Sequence, residues 1–133
     1  MSEKELMKIG SAGLDFGDHT RSEKAKQPDF EYQGDLYYVK SWKESTRLEK
    51  NGRFLYESVP GTTVQDFAET EEGVSFLVSG VEEAQITLEL AENTAYRLVV
   101  DEVNAGDMVS GGSGKLTLSV EFNGKPVAVS VRK

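Results

Sequence analysis

The chemistry open to this chain runs through few residues. His19 is its only histidine and it has no cysteine. A Ser-His-Asp triad, a histidine general base or a histidine-pair metal site must therefore use that one imidazole, while thiol nucleophiles, disulfides, Cys-ligated zinc and Fe-S clusters are excluded. His19 follows Asp18 and lies near Asp15. One imidazole with two carboxylates is a chemically reasonable ligand set, so Asp15, Asp18 and His19 form the candidate metal site, against a competing reading of the same run as an exposed turn. Trp42, with Tyr38 and Tyr56, forms a candidate aromatic platform for stacking on a sugar ring, with acidic and amide side chains binding its hydroxyls. The competing reading puts these aromatics in a core. Tyr37 and Tyr38 must point to opposite faces of a strand, so only one of them can share a platform with Trp42.

Glycoside cleavage asks for two carboxyls about 5 to 10 Å apart. With 23 acids, some pair meets that spacing by chance. No cleft is singled out, so no catalytic residue and no cofactor is assigned.

The elements that must position these residues belong to one acidic domain. The chain has 133 residues, 29% of them charged and 38% hydrophobic, and a formal charge of -8. A single core of this length buries roughly two thirds of the unfolded chain's surface, which suffices without disulfides or a structural metal. The charge is uneven: residues 1–53 are balanced, whereas residues 54–107 carry twelve acids against Arg97 alone. Such a deficit disfavours nucleic acid, whose phosphates need clustered cations, and suits a basic partner, divalent cations or a solvated face. Asp101 to Asp107 only faintly resembles a calcium loop and reads as a turn. The first residues lack the apolar core of a signal peptide and no run approaches a membrane span of about 20 residues, so the expected location is cytoplasmic, with no membrane partner.

Two Asn-Gly pairs flanked by alternating apolar residues predict type I′ hairpins at Asn51-Gly52 and Asn123-Gly124. Leu116, Leu118, Val120 and Phe122 share one face of the strand before the second pair, and Val127, Val129 and Val131 repeat the period of two after it. Pro126 must open its strand or face an edge. Further strands are predicted at 14–17, 29–33, 35–40, 74–78, 85–90 and 95–100. Only Ser2 to Lys8 has a helical composition, and it is too short to stand alone. Residues 1–8 and 19–28 are the expected mobile segments. Turn signals every 8 to 12 residues indicate one domain, 1–133, folded as an all-β antiparallel sandwich, immunoglobulin-like or jelly-roll-like, with little helix.

From Ala84 through Tyr96 and Val103-Asn104-Ala105-Gly106 to Gly114-Lys115-Leu116, the chain resembles the end of immunoglobulin-like accessory sandwiches, with a tight turn at Val103 to Gly106. Over more of its length, from Leu14-Asp15-Phe16-Gly17-Asp18 through Asp29 to Tyr37 and Tyr56 to Gly61, it is similar to short clostridial proteins that carry the label endosialidase. Against the arginine cluster and repeated Ser-x-Asp-x-Gly-x-x-Trp turns of sialidases, this chain has five arginines and one degenerate turn, Gly13 to Thr20, that keeps only Asp15 and Gly17, so the resemblance implies no site residue. The function expected is that of a non-catalytic interaction or self-assembly protein, binding a protein partner or its own copies. A carbohydrate-binding module around Trp42 is the first alternative, and a glycosidic or metal-dependent enzyme the second.

Overall fold

A computed structural model describes residues 6–133. Alternation of apolar and polar side chains builds thirteen strands among them: β1 (Met7–Ile9), β2 (Leu14–Phe16), β3 (Ala25–Tyr32), β4 (Asp35–Trp42), β5 (Ser45–Lys50), β6 (Arg53–Val59), β7 (Thr63–Thr70), β8 (Gly73–Ser79), β9 (Glu83–Glu89), β10 (Ala95–Val100), β11 (Val103–Val109), β12 (Lys115–Glu121) and β13 (Val127–Arg132). They pair antiparallel in two sheets, one ordered β1-β2-β7-β8-β13-β10-β11 and the other β12-β9-β6-β5-β4-β3. The result is the all-β sandwich expected from the period of two. Among the described residues no helix is long and apolar enough to cross a membrane.

The core lies between the sheets, where one face of each strand is apolar. Phe16, Tyr56, Phe67 and Phe76 meet at its centre, with Tyr56 edge-on to Phe16 at 5.1 Å and to Phe76 at 5.7 Å between ring centroids. Such edge-to-face pairs add about 0.5–1.5 kcal/mol each beyond the area they bury.

The local turn chemistry acts as expected at Asn51-Gly52, both with positive φ, where Lys50 faces Arg53 across the β5–β6 hairpin. It fails at Asn123-Gly124. There β12 pairs with β9 and β13 with β8 and β10, so the connection crosses from one sheet to the other. Only Gly124 of the pair has positive φ. The alternating apolar sets of β12 and β13 are both buried in the core, each from its own sheet.

The sequence singles out three further segments. The tight turn lies at Asp101-Glu102, both left-handed, while Val103 to Gly106 belong to β11. Residues 1–5, part of both the helical and the mobile segment, lie outside the described residues, but Leu6 and Met7 are buried and Met7 begins β1. Within 19–28, residues 25–28 form part of β3, and the Gln27 side chain accepts hydrogen bonds from the backbone N–H groups of Leu6 and Met7. These bonds tie the end of one segment to the end of the other.

Candidate functional site

Strand parity takes the aromatic platform apart. Tyr56 is fully buried in the core and touches no ligand surface. It faces inward because it stands opposite Leu48 and Leu88, both buried. Tyr38 and Trp42 do share the outer face of β4, with Lys40 between them, and all three are partly exposed. The Lys24 ammonium lies 5.9 Å from the Trp42 ring centre.

The Asp15, Asp18 and His19 set is dispersed into backbone work. Asp15 accepts a hydrogen bond from the Asp66 N–H at 2.8 Å, and Asp18 closes a turn by accepting from the Thr20 N–H at 3.0 Å. The His19 Nδ1 lies 2.7 Å from the Thr63 hydroxyl, which also accepts from the His19 N–H. Among the described residues no group of three or more His, Cys, Asp or Glu side chains is placed to hold a metal ion.

Two constellations escape local sequence reading. The first is a buried hydroxyl network. Thr46 donates to the Thr62 carbonyl at 2.7 Å and accepts from the Thr62 N–H, while the Ser41 hydroxyl lies 2.8 Å from Thr46 and accepts from the Asp18 N–H. The Thr62 hydroxyl lies 2.7 Å from both the Tyr56 phenol and the Ser58 hydroxyl. Burial raises the Tyr56 phenol well above its usual 10, so it stays protonated. The signal for this network is polar residues at inward positions: Ser41 after Tyr37 and Val39, Thr46 before Leu48, and Ser58 after Tyr56.

The second lies at the opposite end of the sandwich, where two adjoining clefts of about 490 and 440 Å³ flank Lys50. Lys50 ties the sheets together, its ammonium 3.0 Å from Glu69 on β7 and 3.7 Å from Asp35 on β4. Partial burial pushes Lys50 down, but the hydrogen bond and charge of Glu69, with Tyr37 and Asp35, outweigh it and leave the ammonium raised above its ordinary value. These groups balance one another, which makes the clefts polar mouths of the sandwich. Glu69 sits in the other sheet, nineteen residues from Lys50, so no spacing announces the pair.

The surface least protected by the fold is an edge. β3 carries Pro28, a bulge between Gln27 and Phe30, and Asp29 at φ 58°. β1 has three residues. β12 is bounded by the charged residues Lys115 and Glu121. Pro, bulges, charges and short length are the devices that keep edges from recruiting other chains. β11 has its own bulge at Ala105, but from Gly106 to Val109 its pairing is regular; its seven residues are all exposed but the half-buried Met108, and Asp107 is its only charge. Ser110 N–H donates to the Thr94 carbonyl of the neighbouring chain segment. By antiparallel alternation, the backbone groups of Met108 also face β10, and those of Asp107 and Val109 face outward. Val103 and Val109 are 66% and 69% exposed. No family model, curated protein or solved structure matches the chain.

Proposed function

We propose that the protein is a non-catalytic interaction and self-assembly module that works by strand addition at β11, the incoming strand being β11 of a second copy. The observation that carries this reading is the free edge of β11, with outward N–H and C=O groups at Asp107 and Val109 and two exposed valines. An antiparallel two-fold pairing centred on Met108 sets Asp107 opposite the partner's Val109 twice. It forms four intermolecular hydrogen bonds and opposes no like charges. The titratable groups first singled out for chemistry support the same reading, since Asp15, Asp18 and His19 each hold a backbone or hydroxyl partner.

Light scattering on a sizing column tests it. The expected result, at about 1 M salt where charge contacts are screened, is a species of twice the chain mass that Val109→Pro, which removes the outward N–H, returns to monomer. Val109→Lys, placed opposite Asp107, strengthens the dimer. At that salt, a wild-type monomer at millimolar concentration, or a dimer indifferent to Val109→Pro, overturns the reading.

A second reading, glycan binding, is favoured by one observation: Trp42 and Tyr38 share an outward face with Lys40 between them and Lys24 over the indole. Trp42 is the only tryptophan. Its fluorescence, titrated with neutral and acidic oligosaccharides, must change for this reading to stand.

A further inference from the structure

The outer face of the six-stranded sheet opposes like charges at two places, and the two are of opposite sign. Lys26 stands directly opposite Lys40, and Lys40 directly opposite Arg47, so three cations form a row across β3, β4 and β5. Arg47 has counter-charges in Glu49 at 3.1 Å and Glu57 at 3.7 Å, and among the described residues neither lysine of the row has an ion-pair partner. On the far side of the same face, Glu83 of β9 stands directly opposite Glu121 of β12. Like charges opposed in neighbouring strands destabilise a sheet, so each cluster carries a cost that an opposite charge from outside relieves. A cationic row is also against the sign of the chain, whose net charge is -8.

The register places the clusters symmetrically. Val59 of β6 faces Gln85, which faces Ser119, and the two glutamates lie two residues beyond that row. The cation row runs on through Glu57, two residues from Val59 on the opposite side. With strands about 4.8 Å apart and a rise of about 3.4 Å per residue, the clusters are roughly 20 Å apart and Val59 lies midway between them. Val59 is 55% exposed, an apolar side chain at the midpoint between the two clusters.

We infer that this face binds the same face of a second copy. The two-fold axis lies in the plane of contact and passes beside Val59. Each copy's Lys26 and Lys40 then lie over the partner's Glu83 and Glu121, and Val59 packs on its counterpart. The contact is isologous, so every favourable charge pairing occurs twice. A face of six strands and a few rows buries roughly 600 Å² per copy, the low end for a specific complex, which makes this a weak, salt-sensitive interface. The inference deepens the self-assembly reading but uses a different surface from β11. Together, two distinct two-fold contacts on one chain generate an array of more than two copies, closed or open according to whether the combined rotation closes.

Sedimentation equilibrium and charge swaps test it, with Val109→Pro as the background that removes the β11 contact. At about 0.1 M salt the Val109→Pro protein is expected to dimerise, and about 1 M salt, where charges are screened within about 3 Å, weakens that dimer. Lys40→Glu and Glu121→Lys each weaken association at least about tenfold, the equivalent of about 1.4 kcal/mol. The two together in one chain recover it, because the carboxylate introduced at position 40 then faces the ammonium introduced at position 121 of the partner. A Val109→Pro protein that is monomeric throughout, or a double variant no better than either single one, overturns the face contact. The β11 contact is judged separately at about 1 M salt, where the face contact is weakened, by the wild-type dimer and its loss in Val109→Pro.

Discussion

The two ends of β5 are held by opposite means. At its start, Thr46 joins Ser41, Thr62, Ser58 and Tyr56 in a neutral network from which water is excluded. Four residues on, Lys50 reaches Glu69 through an ion pair whose side chains are 30% and 35% exposed. The first end uses weak groups in a place where leaving one unpaired is costly, and the second uses full charges where water competes for them. The difference teaches that the strength of a tie follows its solvation more than its formal charge. The closed end is therefore the anchor of the fold, and the charged end is the more tolerant of change.

Removing the shared partner at the closed end is the largest expected perturbation. Thr62→Val keeps shape and volume but strips a hydroxyl that lies 2.7 Å from both Tyr56 and Ser58. Each buried hydroxyl left unpaired costs about 1–3 kcal/mol, so the variant loses about 3 kcal/mol in all. For a chain of this size that lowers the melting temperature by about 10 °C. A calorimetric shift below about 2 °C breaks the comparison, because it makes the two ends equally tolerant.

Tyr56→Phe sharpens the same contrast and reads it out in pH. The ring keeps its packing against Phe16, Phe67 and Phe76, and the loss of one phenolic hydrogen bond costs about 1.5 kcal/mol. Burial holds the phenol protonated in the folded state above its ordinary 10. Above about pH 10 the unfolded chain sheds that proton and the folded one keeps it, so stability falls as pH rises through this range. Tyr37 is raised by burial as well and contributes in the same direction, so the slope shrinks in Tyr56→Phe and does not vanish. Urea midpoints between about pH 8 and 11 measure it; equal slopes in the two proteins would place the Tyr56 phenol in contact with water.

The contrast is half legible in the sequence. Period-two alternation announces the sandwich, and Asn51-Gly52 its hairpin, because both signals are local. Asn123-Gly124 misleads, since the choice between pairing neighbours and crossing the core is made by which apolar faces meet, and β12 and β13 carry near-identical ones. Tyr56 reads as a surface aromatic because type alone does not tell a core phenol from a sugar platform; its partner Thr62 sits beyond the end of its own strand. Asp15 and His19 look like ligands for the same reason, their partners Asp66 and Thr63 being over forty residues away. The opposed rows of Lys26, Lys40 and Arg47, and of Glu83 and Glu121, exist only once the register is known.

The smallest effect is expected at the charged end, and a double-mutant cycle isolates it. Lys50→Met retains the aliphatic stem over the cleft and Glu69→Gln retains the hydrogen-bonding shape, so the cycle between them removes the charge pairing with little else. Despite the 3.0 Å separation, the exposure of both partners limits the coupling to about 0.5 kcal/mol at neutral pH, read from urea midpoints. The Lys50 ammonium is raised, so its contribution is complete below its ordinary value and fades as pH climbs through the raised one. The coupling therefore stays flat from about pH 6 to 9 and shrinks only in the alkaline range where Tyr56 also acts. A coupling above about 1.5 kcal/mol would mean that the clefts exclude water as the Thr62 network does. In that case Lys50 would be a structural strut, and the charged end would hold the sheets together as firmly as the closed one.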